Sequence, residues 1–377
     1  MRDKKWKFAF FAIVFIVLIL SIFSFKNREY DWDMPGYLAV LIVSNGETNP
    51  KAIHYKTYSE IKSEAPRTSY DKLIGLGNSN HATFHFAKNY KSFNEQIPYY
   101  QVKVGYNLFI KGLNFIGFSG PTAILLLNSI SYFFSGILLF FALKYILPRY
   151  PVYVLLLTCI IIILPPIFYI STIASPDMLG LVFLLLFFNL LIRRQSENIL
   201  FLVLAILVLC RPDYSIFALT YLFVEFVYAL YAKKKLRFSL LFQMLLIFGI
   251  YYSIVNYYHY PSWSDVFYDS FINRRYSIES QPIVLSFEEY LNVLLKNIVN
   301  FKKVSLVSIM ILLISLYFSK TNYHRSISLL LFLNIYLKFL FFPAPGELRF
   351  FIGFILLLFL WMIYSIVNSN KKVLNYS

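Results

Sequence analysis

The chain has 377 residues, of which 59% are hydrophobic, 20% aromatic and only 14% charged. Soluble domains carry about 25% charged residues, so this composition, with a mean hydropathy of +0.62, excludes an ordinary water-soluble globule and predicts an all-α, polytopic integral membrane protein. The formal net charge of +16 comes from 35 Lys and Arg against 19 Asp and Glu. These basic residues lie between apolar runs and form no nucleic-acid-binding module, so they point to membrane-flanking loops and to no nucleic-acid partner.

In chain order, Lys4 and Lys5 precede an apolar run over 8–25. It is long for the core of a signal peptide and no small-x-small cleavage site follows, which predicts a retained transmembrane helix with its basic end in the cytoplasm. A span needs about 20 mostly apolar residues. Further runs over 121–143, 151–170, 178–192, 199–210, 214–231, 238–257, 304–319, 326–342 and 350–368 bring the expected total to ten helices in one membrane domain over 1–377. Cys159 and Cys210 lie inside such runs, without a disulfide framework or metal-ligand spacing.

With ten helices, one face collects Lys144, Arg149, Arg193, Arg194, Lys233, Lys234, Lys235, Arg237, Lys320, Arg325, Lys371 and Lys372. The positive-inside rule makes that face cytoplasmic, with both termini on it, in a cell inner or plasma membrane. The opposite face receives a long loop over 26–120, a second loop over 258–303 and three short turns. Within the first loop, Val104 to Phe118 is apolar but interrupted by Asn107, Lys111 and Asn114, which predicts an interfacial helix.

The runs at 178–192 and 199–210 are too short to cross about 30 Å of hydrocarbon at 1.5 Å per residue. Their outer ends, Ser175-Pro176-Asp177 and Arg211-Pro212-Asp213, are therefore expected below the outer surface, in a polar cavity open to that side. Asp177 and Asp213 suit either helix capping or a site. Arg211 and Arg349 are candidate binders of an anionic phosphate, with snorkelling or pairing to Asp213 and Glu347 as the alternative. Lys338 lies inside the ninth run, where a charge usually faces a cavity.

The first loop opens with Asp31-Trp32-Asp33, two carboxylates that can serve as base and positioning group, or as an ordinary acidic turn. Arg274-Arg275 in the second loop can bind phosphate, although that loop reads as solvated. His81 and His85 have the i, i+4 spacing of half a metal site, without a third ligand, so a coincidental pair is the better reading.

Taken in order, these features resemble the GT-C superfamily of polytopic glycosyltransferases that use polyprenyl-phosphate sugar donors. They are the acidic start of a large first loop (Asp31, Asp33), the stretch Ile97-Pro98-Tyr99-Tyr100-Gln101-Val102-Lys103 leading to an interfacial helix, the recessed Arg211-Pro212 turn, and Glu347-Leu348-Arg349-Phe350 opening the last helix. The resemblance implies inverting transfer of a sugar to an extracytoplasmic glycan, lipid or protein acceptor. Asp31 or Asp33 would act as base, and Arg349 would neutralise the departing lipid phosphate with help from Arg211 or Lys338. No cofactor is certain from it, and a divalent cation, used by some relatives, stays open. The rival expectations are an O-antigen-type polymerase or ligase using Arg274-Arg275, and a transporter or flippase without chemistry.

Overall fold

The computed structural model describes residues 2–76, 81–278 and 281–373, and every regular element among them is a helix. Apolar helices occupy all ten expected segments. Six are long and apolar enough to cross a membrane, and the number reaches eight if each of two bent pairs is one span. The chain is thus a multi-pass helical membrane protein. The remaining apolar helices of the expected ten, Asp177–Ile192 and Glu197–Cys210, have 16 and 14 residues. At 1.5 Å per residue these reach about 24 and about 21 Å, short of the roughly 30 Å hydrocarbon core.

Two of the expected spans are altered. The segment 151–170 is broken at Leu164-Pro165: Pro151–Ile162 and Pro165–Thr172 meet at a 59° bend, because a proline removes a backbone donor and clashes with the preceding turn. The helix Lys302–Phe318 is preceded by Phe287–Ile298, bent from it by 73°. In that second helix the apolar Phe287, Leu291, Leu295 and Ile298 recur on one exposed face, with Glu288, Glu289 and Lys296 elsewhere around it, the pattern of a helix lying in the membrane interface.

Helices approach closely where small residues allow it. A Cβ added at Gly136 would come 2.8 Å from the Val17 side chain, so the first helix (Arg2–Lys26) packs on the backbone of Gly120–Ile146. Buried polar groups are joined between helices, as when Ser24 and Ser171 hydroxyls meet at 2.7 Å and Asn189 Nδ2 donates to the Leu138 carbonyl at 2.9 Å. With no water in hydrocarbon, such partners are what buried polar atoms need.

The basic residues gather at one end of this bundle. Lys144 sits 5.2 Å from the Trp6 ring, Arg193 lies 5.6 Å from the Tyr145 ring, Arg237 pairs with Glu197, and Lys320 donates to the Ser369 carbonyl at 2.5 Å. The opposite end carries the first loop, which is far more ordered than a loop. Among the described residues seven helices form between Met34 and Phe115, and their apolar residues build a second core with Ala123, Ile124, Ala174, Leu179 and Cys210 from the bundle. The expected interfacial helix is present as Val104–Phe115, with Leu108, Phe109 and Phe115 exposed and Tyr106 and Ile110 buried.

Candidate active site

The acidic segment and the arginine turns converge at the end of the bundle opposite the basic residues. Glu29 N–H donates to the Thr172 carbonyl at 2.8 Å, which fastens the chain leaving the first helix to the end of Pro165–Thr172. The backbone then turns through Asp31-Trp32-Asp33 into the buried helix Met34–Ser44. Asp33 occupies the N-cap of that helix but makes no side-chain cap bond. A cap role is the usual use of Asp there, so its carboxylate is directed elsewhere. Its Oδ1 accepts from the Tyr100 hydroxyl at 3.1 Å, and its Oδ2 lies 3.6 Å from Nη1 of Arg349.

Tyr100 reaches Asp33 because Gly36 lies beneath it. A Cβ at Gly36 would stand 2.3 Å from the Tyr100 ring, so no other residue lets the ring lie this close to the helix. Asp31 accepts through Oδ1 from the Ala174 N–H at 3.3 Å. Burial first, and then the neighbouring Asp33 carboxylate, holds its proton affinity well above the usual carboxylate range, against the pull of Arg349. Lys103 lies nearby, donating to the Tyr99 carbonyl and facing the rings of Tyr37 and Tyr100. Burial pushes its ammonium down to about 8, with Asp33 opposing and Arg211 and Arg349 adding to the fall.

The two short-helix turns supply a second chain of charges. Asp177 is almost fully buried and pairs with Arg211, while Ser175 Oγ donates to the other oxygen of its carboxylate. Arg211 also donates through Nε to Asp213 at 3.0 Å, and Asp213 in turn holds Lys338. The order is therefore Asp177, Arg211, Asp213, Lys338, with each cation held by at least one carboxylate. Arg349 is held at 3.6 Å by Asp33 and at 3.1 Å by the half-exposed Glu347.

Phe350 joins the two sets. Arg211, Lys338 and Arg349 stand 5.1, 5.5 and 4.9 Å from the centre of its ring. An aromatic face attracts cations through its quadrupole, so one ring gathers three positive side chains that would otherwise repel. Just beyond Lys338, Leu340 and Phe341 are exposed apolar residues. The cationic cluster thus adjoins an exposed apolar surface.

The eight residues expected at the site, Asp31, Asp33, Asp177, Arg211, Asp213, Lys338, Glu347 and Arg349, lie in this one assembly. The sequence reading missed Phe350 as its hub, the role of Gly36, and the parts of Tyr100 and Lys103. It also treated Arg274 and Arg275 as equivalent members of a solvated loop. Arg275 is instead buried, with Nε 2.7 Å from Asp269 Oδ1 and Nη2 2.9 Å from Asp265 Oδ1. That commits it to holding the second loop together. Arg274 bonds Gln96 and lies 5.7 Å from the ring of Trp32, between the two candidate aspartates.

No group of three or more His, Cys, Asp or Glu side chains converges among the described residues. His81 and His85 share the helix His81–Lys88 but gain no third ligand there. Asp31 and Asp33 offer at most a carboxylate pair to a divalent cation. No protein-family model, curated protein or solved structure matches the chain.

Proposed function

We propose that the protein is a membrane glycosyltransferase of the GT-C kind. It would take a sugar from a polyprenyl-phosphate carrier and pass it, with inversion, to a hydroxyl on the extracytoplasmic side of the plasma membrane. The positive-inside rule puts the basic end of the bundle and both termini in the cytoplasm, so the charged cluster faces outward. One contact carries this assignment: Asp33 and Arg349, from opposite ends of the chain, stand 3.6 Å apart with Asp31 two residues away.

Each component then has a chemical task. The donor is an anion with an apolar tail, and the cluster around Phe350 places cations beside the exposed apolar Leu340 and Phe341. Asp31 is the general base: it stands two residues from the Asp33–Arg349 contact, and burial and the Asp33 carboxylate raise its affinity for the acceptor proton. The acceptor hydroxyl loses its proton to Asp31 as its oxygen bonds the anomeric carbon. The bond from that carbon to the phosphate oxygen breaks, and the phosphate departs with the electron pair. Arg349 neutralises the developing charge, as a guanidinium does well for phosphate oxygens. Asp33 and Tyr100 orient Arg349 and the loop, and the Arg211–Asp213–Lys338 chain sets the positive potential behind it.

The test is chemical analysis of the cell envelope after deletion of the gene in its source organism. Mass spectrometry should find one polyprenyl-phosphate sugar accumulated and the corresponding sugar missing from an envelope glycan, lipid or protein. Complementation with wild type should reverse both changes and complementation with Asp31→Asn should not. Unchanged lipid-linked sugars and envelope glycans would overturn the proposal.

A further inference from the structure

Where the two outer loops meet they leave a cleft of about 540 Å³. Its walls come from the helix His81–Lys88 of the first loop and from Tyr276 of the second. His85 and Tyr276 stack across the junction, with ring centres 4.6 Å apart and planes inclined by 22°. Within the first loop His85 Nε2 contacts Ser92 Oγ at 3.0 Å, and across the junction the Ile278 N–H donates to Glu95 at 2.6 Å.

The cleft wall is aromatic and basic. Phe84, Tyr90 and Tyr276 present rings, and His81 and Lys88 add nitrogen donors. The Lys88 ammonium lies over the Phe84 ring at 4.0 Å. Lys51 lies 5.4 Å from the Tyr90 ring at the edge of the same surface. Asn89, which also lines the cleft, uses its side-chain oxygen to cap the next helix, accepting from Lys91 and Ser92 N–H. None of the described residues lining it is acidic. Rings that stack on the C–H faces of a pyranose, together with a few donors, are what a saccharide requires. Lys88, which makes no ion pair among the described residues, adds attraction for a negative substituent.

The helix that walls the cleft also touches the aspartate segment through its buried face. Phe86, next to His85 in sequence, packs its ring 5.9 Å from that of Trp32, which lies between Asp31 and Asp33.

We propose that this cleft is the acceptor subsite, and that it binds an anionic saccharide, one carrying carboxylate or phosphate substituents. The proposal rests on the transferase reading for the word acceptor; the binding itself does not require transfer. The full chain in lipid nanodiscs can be titrated calorimetrically with trigalacturonate, and in parallel with maltotriose as a neutral chain of the same length. Trigalacturonate should bind at least tenfold more tightly than maltotriose, with weakening as salt rises. Lys88→Gln combined with His81→Gln should reduce its affinity at least fivefold, and Tyr276→Ala should weaken both sugars. Lys88 and His81 are exposed, so the double variant should remain folded by size-exclusion and circular dichroism.

Absence of trigalacturonate binding, equal binding of maltotriose, or a folded double variant with unchanged affinity would overturn the proposal. Because no donor is present, the two readings fail separately. Loss of the transferase reading with intact binding leaves an anionic-glycan site, while transfer without cleft binding removes the subsite alone.

Discussion

Replacing Asp177 with Ala removes one partner of a pair that water cannot rescue. The Asp177 side chain is 3% exposed and that of Arg211 13%. Breaking a buried ion pair from one side costs about 3–5 kcal/mol, because the surviving charge stays desolvated. Asp213 still contacts Arg211 through Nε, so the cost should fall at the lower end, about 3 kcal/mol. The double variant Asp177→Ala/Arg211→Met removes both charges and should recover most of that loss, since replacing a whole buried pair by apolar groups is often neutral or better. Reversible unfolding in mixed micelles, titrated with denaturing detergent, measures all three proteins in one double-mutant cycle. A loss below about 1 kcal/mol in the single variant, or a double variant no better than the single, would refute the claim that this pair is buried and mutually dependent.

Other expectations follow from the same geometry. Asp33→Asn keeps the shape of the segment but weakens its hold on Arg349; transfer measured with a lipid-linked donor should fall by about 10²–10³, as for a lost charge-stabilising group, while thermal stability changes little. Gly36→Ala puts a methyl group into the Tyr100 ring, and this overpacking should cost about 1–3 kcal/mol in the same unfolding assay and disturb the Tyr100 bond to Asp33. Lys103 has a folded-state pKa near 8, below its ordinary value of 10.5. The unfolded chain therefore binds more protons between those limits, so the burial penalty is full below pH 8 and is relieved as pH rises toward 10.5. Lys103→Met should abolish the stability gain that wild type shows over that window, and an identical gain in the variant would contradict this placement of Lys103.

Much of the site was legible because charges are scarce in a membrane chain. Where only 14% of residues are charged, a carboxylate or guanidinium at the end of a short apolar run carries information. The short helices at Asp177 and Glu197 exposed themselves by length alone. Phe350 was hidden for the opposite reason: among 40 phenylalanines, nothing local marks the one that three cations surround. Gly36 was hidden because its role is a close approach to Tyr100, distant in sequence, which no periodicity encodes. The first loop was read as a loop because its helices are short and several are polar. They gain their stability from packing on the bundle ends rather than from propensity, as the shared core with Ala123, Leu179 and Cys210 indicates. The count of spans was the least legible feature, since a proline break and a 73° bend divide runs that composition alone treats as simple.

The most direct measurement uses purified protein in proteoliposomes with a radiolabelled polyprenyl-phosphate sugar pool extracted from the source membranes. Release of free polyprenyl phosphate and label transfer to endogenous acceptor are followed for wild type, Asp31→Asn and Arg349→Ala. Wild type should release and transfer; Asp31→Asn should retain donor binding but lose release by at least a hundredfold, and Arg349→Ala should lose both. Release by Asp31→Asn at the wild-type rate would contradict the assignment of Asp31 as the base on which the account depends.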